Sequence, residues 1–506
     1  MNFRAAWITC LPGDKIASLK TMKVETSRAV FLAVLLAVRC MGFGQNKAGA
    51  AGNFDPAPWL EDFQQLLSEL SSHYANLDWA IEERRMDLPH LREQTEIKLR
   101  AQTNEEEARR VLRQFLDSFG DGHLEIRWPR PQEAPSPSVP GDDLCNALGY
   151  NTRLSPGLDF SSLPGFTALD NQDSKLFFAG LLRLNNGKSI GILRIGLFSE
   201  TAYPEACRQA LRQLGFANET HCSDDCRNKV ELAAANLLTA ALVRQADTLR
   251  KAGATAVAVD ITSNGGGSDW MEAPPRALSS VPLHDLRFAF VRHQHWSDEL
   301  QDRLRQVQSD LDRRSPPEGT LKQAAATLQK AIAESKVHCD RGDAWQTGKL
   351  HCPLLVKDLL YTSGILEYAT PGSLDALESK TALFHPSRYA YQERANQGPL
   401  SVIVDRNTWS AAEYFAVLLQ DNHAATIIGE LTGGAGCGYT NGGIPTKLKN
   451  SGAYIKMPDC ARFRADGSNE VNGITPDILV PWAERDTTYQ RVRKLQSALE
   501  AHGRKE

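Results

Sequence analysis

Two kinds of segment are missing from this 506-residue chain: a long block of one charge, and an apolar run of membrane-spanning length. The net charge of −4 and the absence of basic tracts give no reason to expect nucleic acid, and substrates of extreme charge are not implied. The longest leading apolar stretch, Ala29 to Val38, is too short to cross a bilayer. It follows Met22–Arg28, and small residues come after it near Gly42–Gly44 and Ala48–Ala51, which is the layout of a signal peptide. Arg39 before Cys40 is a poor context for lipidation. An exported protein, periplasmic or secreted, with no stable membrane insertion after cleavage, is therefore expected.

There is also no tight Cys-x-x-Cys pair and no solenoid-type repeat. Beyond Cys10 and Cys40, eight scattered cysteines remain, an even number that suits disulfides in an oxidising compartment. Cys339 with Cys352 and Cys437 with Cys460 are plausible local pairs. His338 and His351 precede two of them, but adjacent residues rarely reach one ion together, so no metal and no cofactor is expected. His293-x-His295 has no further ligand at metal spacing and reads as a pair of surface histidines.

The length implies two or three domains, and 42% hydrophobic with 23% charged residues is a globular composition. Residues 1–52 read as signal peptide and leader. Residues 54–124 carry apolar positions at helical spacing (Leu60, Phe63, Leu66, Leu67, Leu70; then Val111, Leu112, Phe115, Leu116), a domain of about three helices. Residues 125–184 read as a Pro-rich linker with short strands, Lys175–Leu184 among them, and Ser189–Phe198 as the next strand. Residues 185–485 form an α/β core and 486–506 a closing helix. Within the core, a long helix over Lys229–Lys251 precedes the buried strand Ala254–Ile261. A region at about 293–395, with one strand (Leu286–Val291) just before it and a charged helical stretch over Ser297–Lys336, reads as an inserted arm.

Pro399 to Gly436 is the stretch the chain is built around. Leu400–Val404 has the length and β-branched content of a buried strand, Asp405-Arg406-Asn407 breaks it, and Ser410-Ala411-Ala412-Glu413 opens a helix. Ser410 can be a plain N-cap, with Glu413 at capping-box spacing. It can equally be a nucleophile, because unpaired amides at a helix start stabilise negative charge beside it. A serine nucleophile needs a base and oxyanion donors. Asn264-Gly265-Gly266-Gly267 ends a strand with bare backbone amides, or is simply a tight turn. His123, after Gly120-Asp121-Gly122, is a candidate base, or a structural histidine. Glu470 sits in a polar loop where a solvated carboxylate is the default.

Together these motifs resemble the C-terminal processing (tail-specific) and tricorn-type serine peptidases. Asp260 to Gly267 is similar to that family's strand and glycine loop, with Thr262 where arginine is common. Thr408-Trp-Ser410-Ala-Ala-Glu413 resembles its nucleophile turn, Gly429-Glu430-Leu-Thr432-Gly433 the next strand end, and Asp466 to Asp477 its terminal signature. Tail-specific members take a lysine base from the glycine loop, but that position is Ala435 and no lysine lies between Asp421 and Thr440. Asp121-Gly122-His123 and Glu470 match the tricorn-like arrangement instead. The resemblance implies a mixed α/β, layered crotonase-like core with an N-terminal helical domain and a helical insertion. It implies Ser410 as nucleophile, His123 as general base and Glu470 as orienting carboxylate. The oxyanion donors would be Ala411 and Gly266, or Gly265 if the register differs by one. Cys437 as nucleophile is less economical than a disulfide to Cys460. No PDZ domain is evident between helical domain and core. The expected activity is hydrolysis of polypeptide through an acyl-enzyme. The alternatives are a non-catalytic, retinoid-binding-like protein on the same core, or a hydrolase of small esters and amides. Oligomeric state is not legible.

Overall fold

The computed structural model describes residues 54–129, 144–219, 221–396, 398–438 and 445–502. The expected signal peptide and residues 130–143 of the expected Pro-rich linker lie outside these. No helix among the described residues is long and apolar enough to cross a membrane.

Four helices open the described chain: α1 (Ala57–His73), α2 (Leu77–Glu82), α3 (Leu88–Arg100) and α4 (Glu105–Asp117). Asn104 caps α4 by accepting from the Glu107 amide, and Glu105 to Glu107 place negative charge at its positive end. The apolar stripes of α1 and α4 meet in one core through Phe63 and Phe115, edge to face at 4.9 Å. The sequence suggested about three helices here; α2 is too short to show a periodicity. The strand β1 (Glu125–Arg127) follows.

The central sheet is built from β2 (Phe166–Ala168), β3 (Ala179–Arg183), β4 (Ser189–Arg194) and β5 (Ala256–Asp260). Beyond β5, the outlying β6 (Arg287–Val291) and β7 (Leu355–Tyr361) intervene before β8 (Leu400–Val404) and β9 (Thr426–Gly429). Short strands β10 (Thr446–Lys447), β11 (Tyr454–Lys456), β12 (Cys460–Phe463) and β13 (Ile478–Leu479) end the series. Seven of the described strands form one mixed sheet in the order β13-β9-β8-β5-β4-β3-β2. Strands β4, β5, β8, β9 and β13 run parallel, and β3 and β2 add antiparallel at one edge.

Alternation along the strands explains why both faces are covered. Val257, Val259, Val402, Val404 and Ile427 point into the core that holds helices Asp224–Lys251 and Ala411–Asp421. Ala258, Ile403 and Ile428 point the other way, under Val492, Leu495 and Leu499 of the last helix. Such two-sided burial is why these strands read as continuous apolar runs.

Several boundaries differ from the sequence expectation. The strand expected at Lys175–Leu184 is β3, and its hairpin with β4 crosses residue 184, so this strand joins the main sheet. The long helix begins at Asp224, where Ser223 accepts from the Cys226 amide. The charged stretch is two helices, Gln294–Asp312 and Glu318–Ser335, separated at Pro316-Pro317, where no helix can continue without amide donors. β7 was missed because Lys357 and Asp358 interrupt its apolar run; it pairs with β6, which pairs with β12. Among the described residues four disulfides form: Cys145–Cys207, Cys222–Cys226, Cys339–Cys352 and Cys437–Cys460.

Candidate active site

Strands β5 and β8 lie side by side, and their ends are latched before either chain turns. Asp405 accepts from the Ser263 amide at 2.8 Å and from its hydroxyl at 3.1 Å, Thr408 Oγ1 donates to the Ile261 carbonyl, and the Trp409 amide donates to the Asn264 carbonyl. The Gly265–Gly267 loop is thereby held against the start of helix Ala411–Asp421.

At that junction Ser410 has φ 57° and ψ −120°, a conformation that non-glycine residues rarely adopt. Its amide donates to Glu413 Oε2 at 2.9 Å, and its carbonyl accepts from the amides of Glu413 and Tyr414. Ser410 and Glu413 thus form a capping box at the helix start, and Ser410 Oγ also lies 3.0 Å from His123 Nε2.

Gly266 must be glycine at this junction. Its φ is +98°, and a Cβ there would stand 2.7 Å from Ser410 Cβ and 2.9 Å from the Ala411 amide nitrogen. The Gly266 amide donates to Asn264 Oδ1 at 2.9 Å, within its own turn. The amides of Gly265 and Ala411 have no acceptor among the described residues.

His123 is set by the loop after α4. Its own amide donates to Asp121 Oδ1 at 2.9 Å, while Asp121 Oδ2 accepts from Tyr74 Oη and Asn76 Nδ2. Gly122 lets this loop lie on the Trp409 ring, where a Cβ would fall 2.2 Å from Cζ3. His123 Nδ1 is buried and makes no hydrogen bond of good geometry among the described residues. Burial holds the imidazole below its ordinary pKa; Asp121 opposes this, the Arg462 guanidinium reinforces it, and the carbonyls of Ala435 and Cys437 oppose it. A neutral ring can accept the serine proton.

Glu470 is not in a solvated loop. It is wholly buried and paired with Arg462, through Nη2 at 3.0 Å and through Nε. The correction has a clear cause: a lone buried carboxylate is costly, and Arg462 on β12 compensates it. Burial raises the Glu470 pKa against the opposing pull of Arg462. Glu470 is not bonded to His123.

Arg462 escaped sequence reasoning and left no signal. Asp121 was named there only as part of the Asp121-Gly122-His123 motif, without a role of its own. Glu413 was read as a cap, yet it is buried and accepts four bonds: from Ser410 N, Thr432 Oγ1, Gly434 N and Ala435 N. Burial pushes its carboxyl up to about 7. The histidine pair is only half-exposed and has partners: His295 Nε2 meets Asp459 Oδ2 at 2.9 Å, and the His293 ring packs on His73 at 4.4 Å.

Two cavities meet at Ser410. One of about 550 Å³ is lined by His123, Gly265 and Trp409. The other, of about 670 Å³, runs past Ala411, Tyr414 and Arg462 toward Trp296.

The family model "Peptidase family S41" matches residues 230–480. Two solved structures have a similar fold. Mature CPAF complexed with lactacystin is 15% identical, with 88% of this chain and 98% of that chain covered at a TM-score of 0.54. A mutant of CPAF is 14% identical, with 87% and 96% covered at 0.55. An uncharacterized protein of Chlamydia muridarum (strain MoPn / Nigg) is 27% identical over 147 residues, 28% of this chain and 23% of that protein. The match thus spans under a quarter of the length of that curated relative.

Proposed function

This chain belongs to peptidase family S41, and from that premise we propose that it is a serine peptidase whose nucleophile is Ser410 and whose base is His123. The observation that carries the reading is the 3.0 Å contact between Ser410 Oγ and His123 Nε2, made by a serine held in a strained turn at the start of its helix.

The chemistry follows from the placement. His123 Nε2 takes the hydroxyl proton as Ser410 Oγ attacks the scissile carbonyl, and the oxygen becomes an oxyanion. The Ala411 amide, at the positive end of its helix, and an amide of the Gly265–Gly266 turn stabilise that charge. His123 then gives its proton to the leaving amine, and water, activated by the same imidazole, hydrolyses the acyl-enzyme. Glu470 balances the buried Arg462 cation next to this pair. The leaving amine must stand within reach of His123, so the cavity lined by His123 and Trp409 takes the departing fragment. The larger cavity beyond Ala411 holds the acyl part. Flexible polypeptide fits a cleft open on both sides of the serine. Four disulfides favour action in an oxidising compartment, outside the cytoplasm.

A fluorophosphonate reagent tests the assignment. It is expected to label Ser410, with loss of labelling and of peptidase activity in Ser410→Ala. Full activity in that variant, or labelling at another residue, refutes it. Lactacystin, present in the CPAF structure, is expected to protect Ser410 from the reagent.

A further inference from the structure

We propose that Arg462 is a positioning residue of the hydrolytic site, the link through which buried Glu470 acts on His123; this rests on the Ser410–His123 reading. Glu470 alone has no route to the imidazole. Arg462 has two. Its guanidinium holds both Glu470 oxygens, and Nη2 also donates to the Gly436 carbonyl at 2.8 Å. Gly436 lies between Ala435 and Cys437, the two residues whose carbonyls face the His123 ring. The same guanidinium lies on the Tyr414 ring, with Cζ 4.6 Å from its centroid, and Tyr414 belongs to the helix that Ser410 begins. One rigid, planar cation therefore braces the histidine-facing loop, the serine-bearing helix and the terminal carboxylate.

Two covalent and polar anchors make this brace stiff. The Cys437–Cys460 disulfide ties the loop to β12 two residues before Arg462. Glu413 bonds the amides of Gly434 and Ala435 on the other side of Gly436. Between these anchors the Gly436 carbonyl has Arg462 as its hydrogen-bond donor. Losing that donor frees the peptide groups facing Nδ1, and the ring they orient.

Charge supplies a second consequence, which steric support alone lacks. The charged and titratable groups around His123 are Asp121 on its own loop, Arg462 on β12, Glu470 after it, and Glu413 and Tyr414 on the serine helix. The Arg462 cation disfavours a second positive charge on the imidazole, and Glu470 offsets that cation. Removing Arg462 therefore makes the imidazolium easier to form; removing the Glu470 charge makes it harder.

The test compares Arg462→Gln, Arg462→Lys and Glu470→Gln with the parent and with Ser410→Ala, by kcat, KM and the pH dependence of kcat/KM. Arg462→Gln is expected to lower kcat about 100-fold with KM changed less than about threefold, the signature of misplaced catalytic groups. Arg462→Lys keeps charge without the fork, and is expected to restore roughly tenfold of that loss. The acid limb is expected to move up by roughly half a pH unit in Arg462→Gln and down by a similar amount in Glu470→Gln. Parental kcat in Arg462→Gln, or limbs that move together in the two variants, overturns the proposal. If Arg462→Gln does not fold, Glu470→Gln decides: a downward shift supports the link, and no shift or an upward one overturns it. Activity retained in Ser410→Ala removes the underlying reading and this proposal with it. An inactive Ser410→Ala beside unshifted limbs removes this proposal alone.

Discussion

His123 and His295 each present a ring nitrogen to an oxygen at about the same distance, 3.0 Å to Ser410 Oγ and 2.9 Å to Asp459 Oδ2. What lies behind each ring differs. Behind His123 are peptide carbonyls and the Arg462 cation, and its nitrogen faces a hydroxyl that can lose a proton. Behind His295 is His293, Nδ1 to Nδ1 at 2.5 Å, then His73, which bonds Glu69 at 2.8 Å. Burial, helped by the neighbouring imidazoles, pushes His293 down to about 4. On the proposed reading, the first histidine exchanges a proton with a reacting group. The second is held in a chain of partners joining α1, helix Gln294–Asp312 and the residue before β12. Proximity of an imidazole to an oxygen does not separate the two; the acidity of the facing group and the charge behind the ring do.

Removing each ring gives the widest expected contrast. His123→Ala is expected to lower kcat by about 10³- to 10⁴-fold, measured on a peptide substrate with folding checked by circular dichroism. Loss below about tenfold would place the base elsewhere. Gly266→Ala comes next: the added Cβ must displace Ser410 or the Ala411 amide, and kcat is expected to fall about 100-fold. Parental activity there would show that the turn shifts freely.

The pH profile sharpens the same contrast. Because burial holds His123 below the ordinary histidine pKa of 6.5, it sheds its proton at lower pH than a free imidazole. kcat/KM is therefore expected to rise through a midpoint below 6.5 and to stay level through neutrality. A midpoint above 6.5 contradicts the burial. The smallest effect is expected for His295→Gln, which removes the bond to Asp459. Stability should fall by roughly 1–2 kcal/mol in urea unfolding, with kcat within about threefold, although His295 lines the larger cavity. A hundredfold loss of kcat would make the two histidines functionally alike.

The parts of the fold legible in the sequence were those specified by local pattern. Leu400–Val404 is a strand with those bounds, and Ser410 precedes a helix, because β-branched runs and polar breaks act over a few residues. Strand β7 was hidden by Lys357 and Asp358, and the start of helix Asp224–Lys251 by the polar residues of its first turn, where pattern and burial disagree. Candidate site residues were legible as types, through a family resemblance. Their environments were not: Glu470 stands in a polar run, Asp466 to Asn472, and its burial depends on Arg462 across a turn.

The sequence by itself determined that a serine stands between a buried strand and a helix, that the glycine loop carries no lysine, and that a histidine follows Asp121-Gly122. These are statements about neighbours in the chain, and chain neighbours set backbone preference. Only the tertiary structure decided that His123, 287 residues from Ser410, meets its hydroxyl, and that Glu470 faces a guanidinium rather than water. Those pairings depend on which surfaces pack together, and packing is settled by the burial of whole elements, which no local pattern encodes.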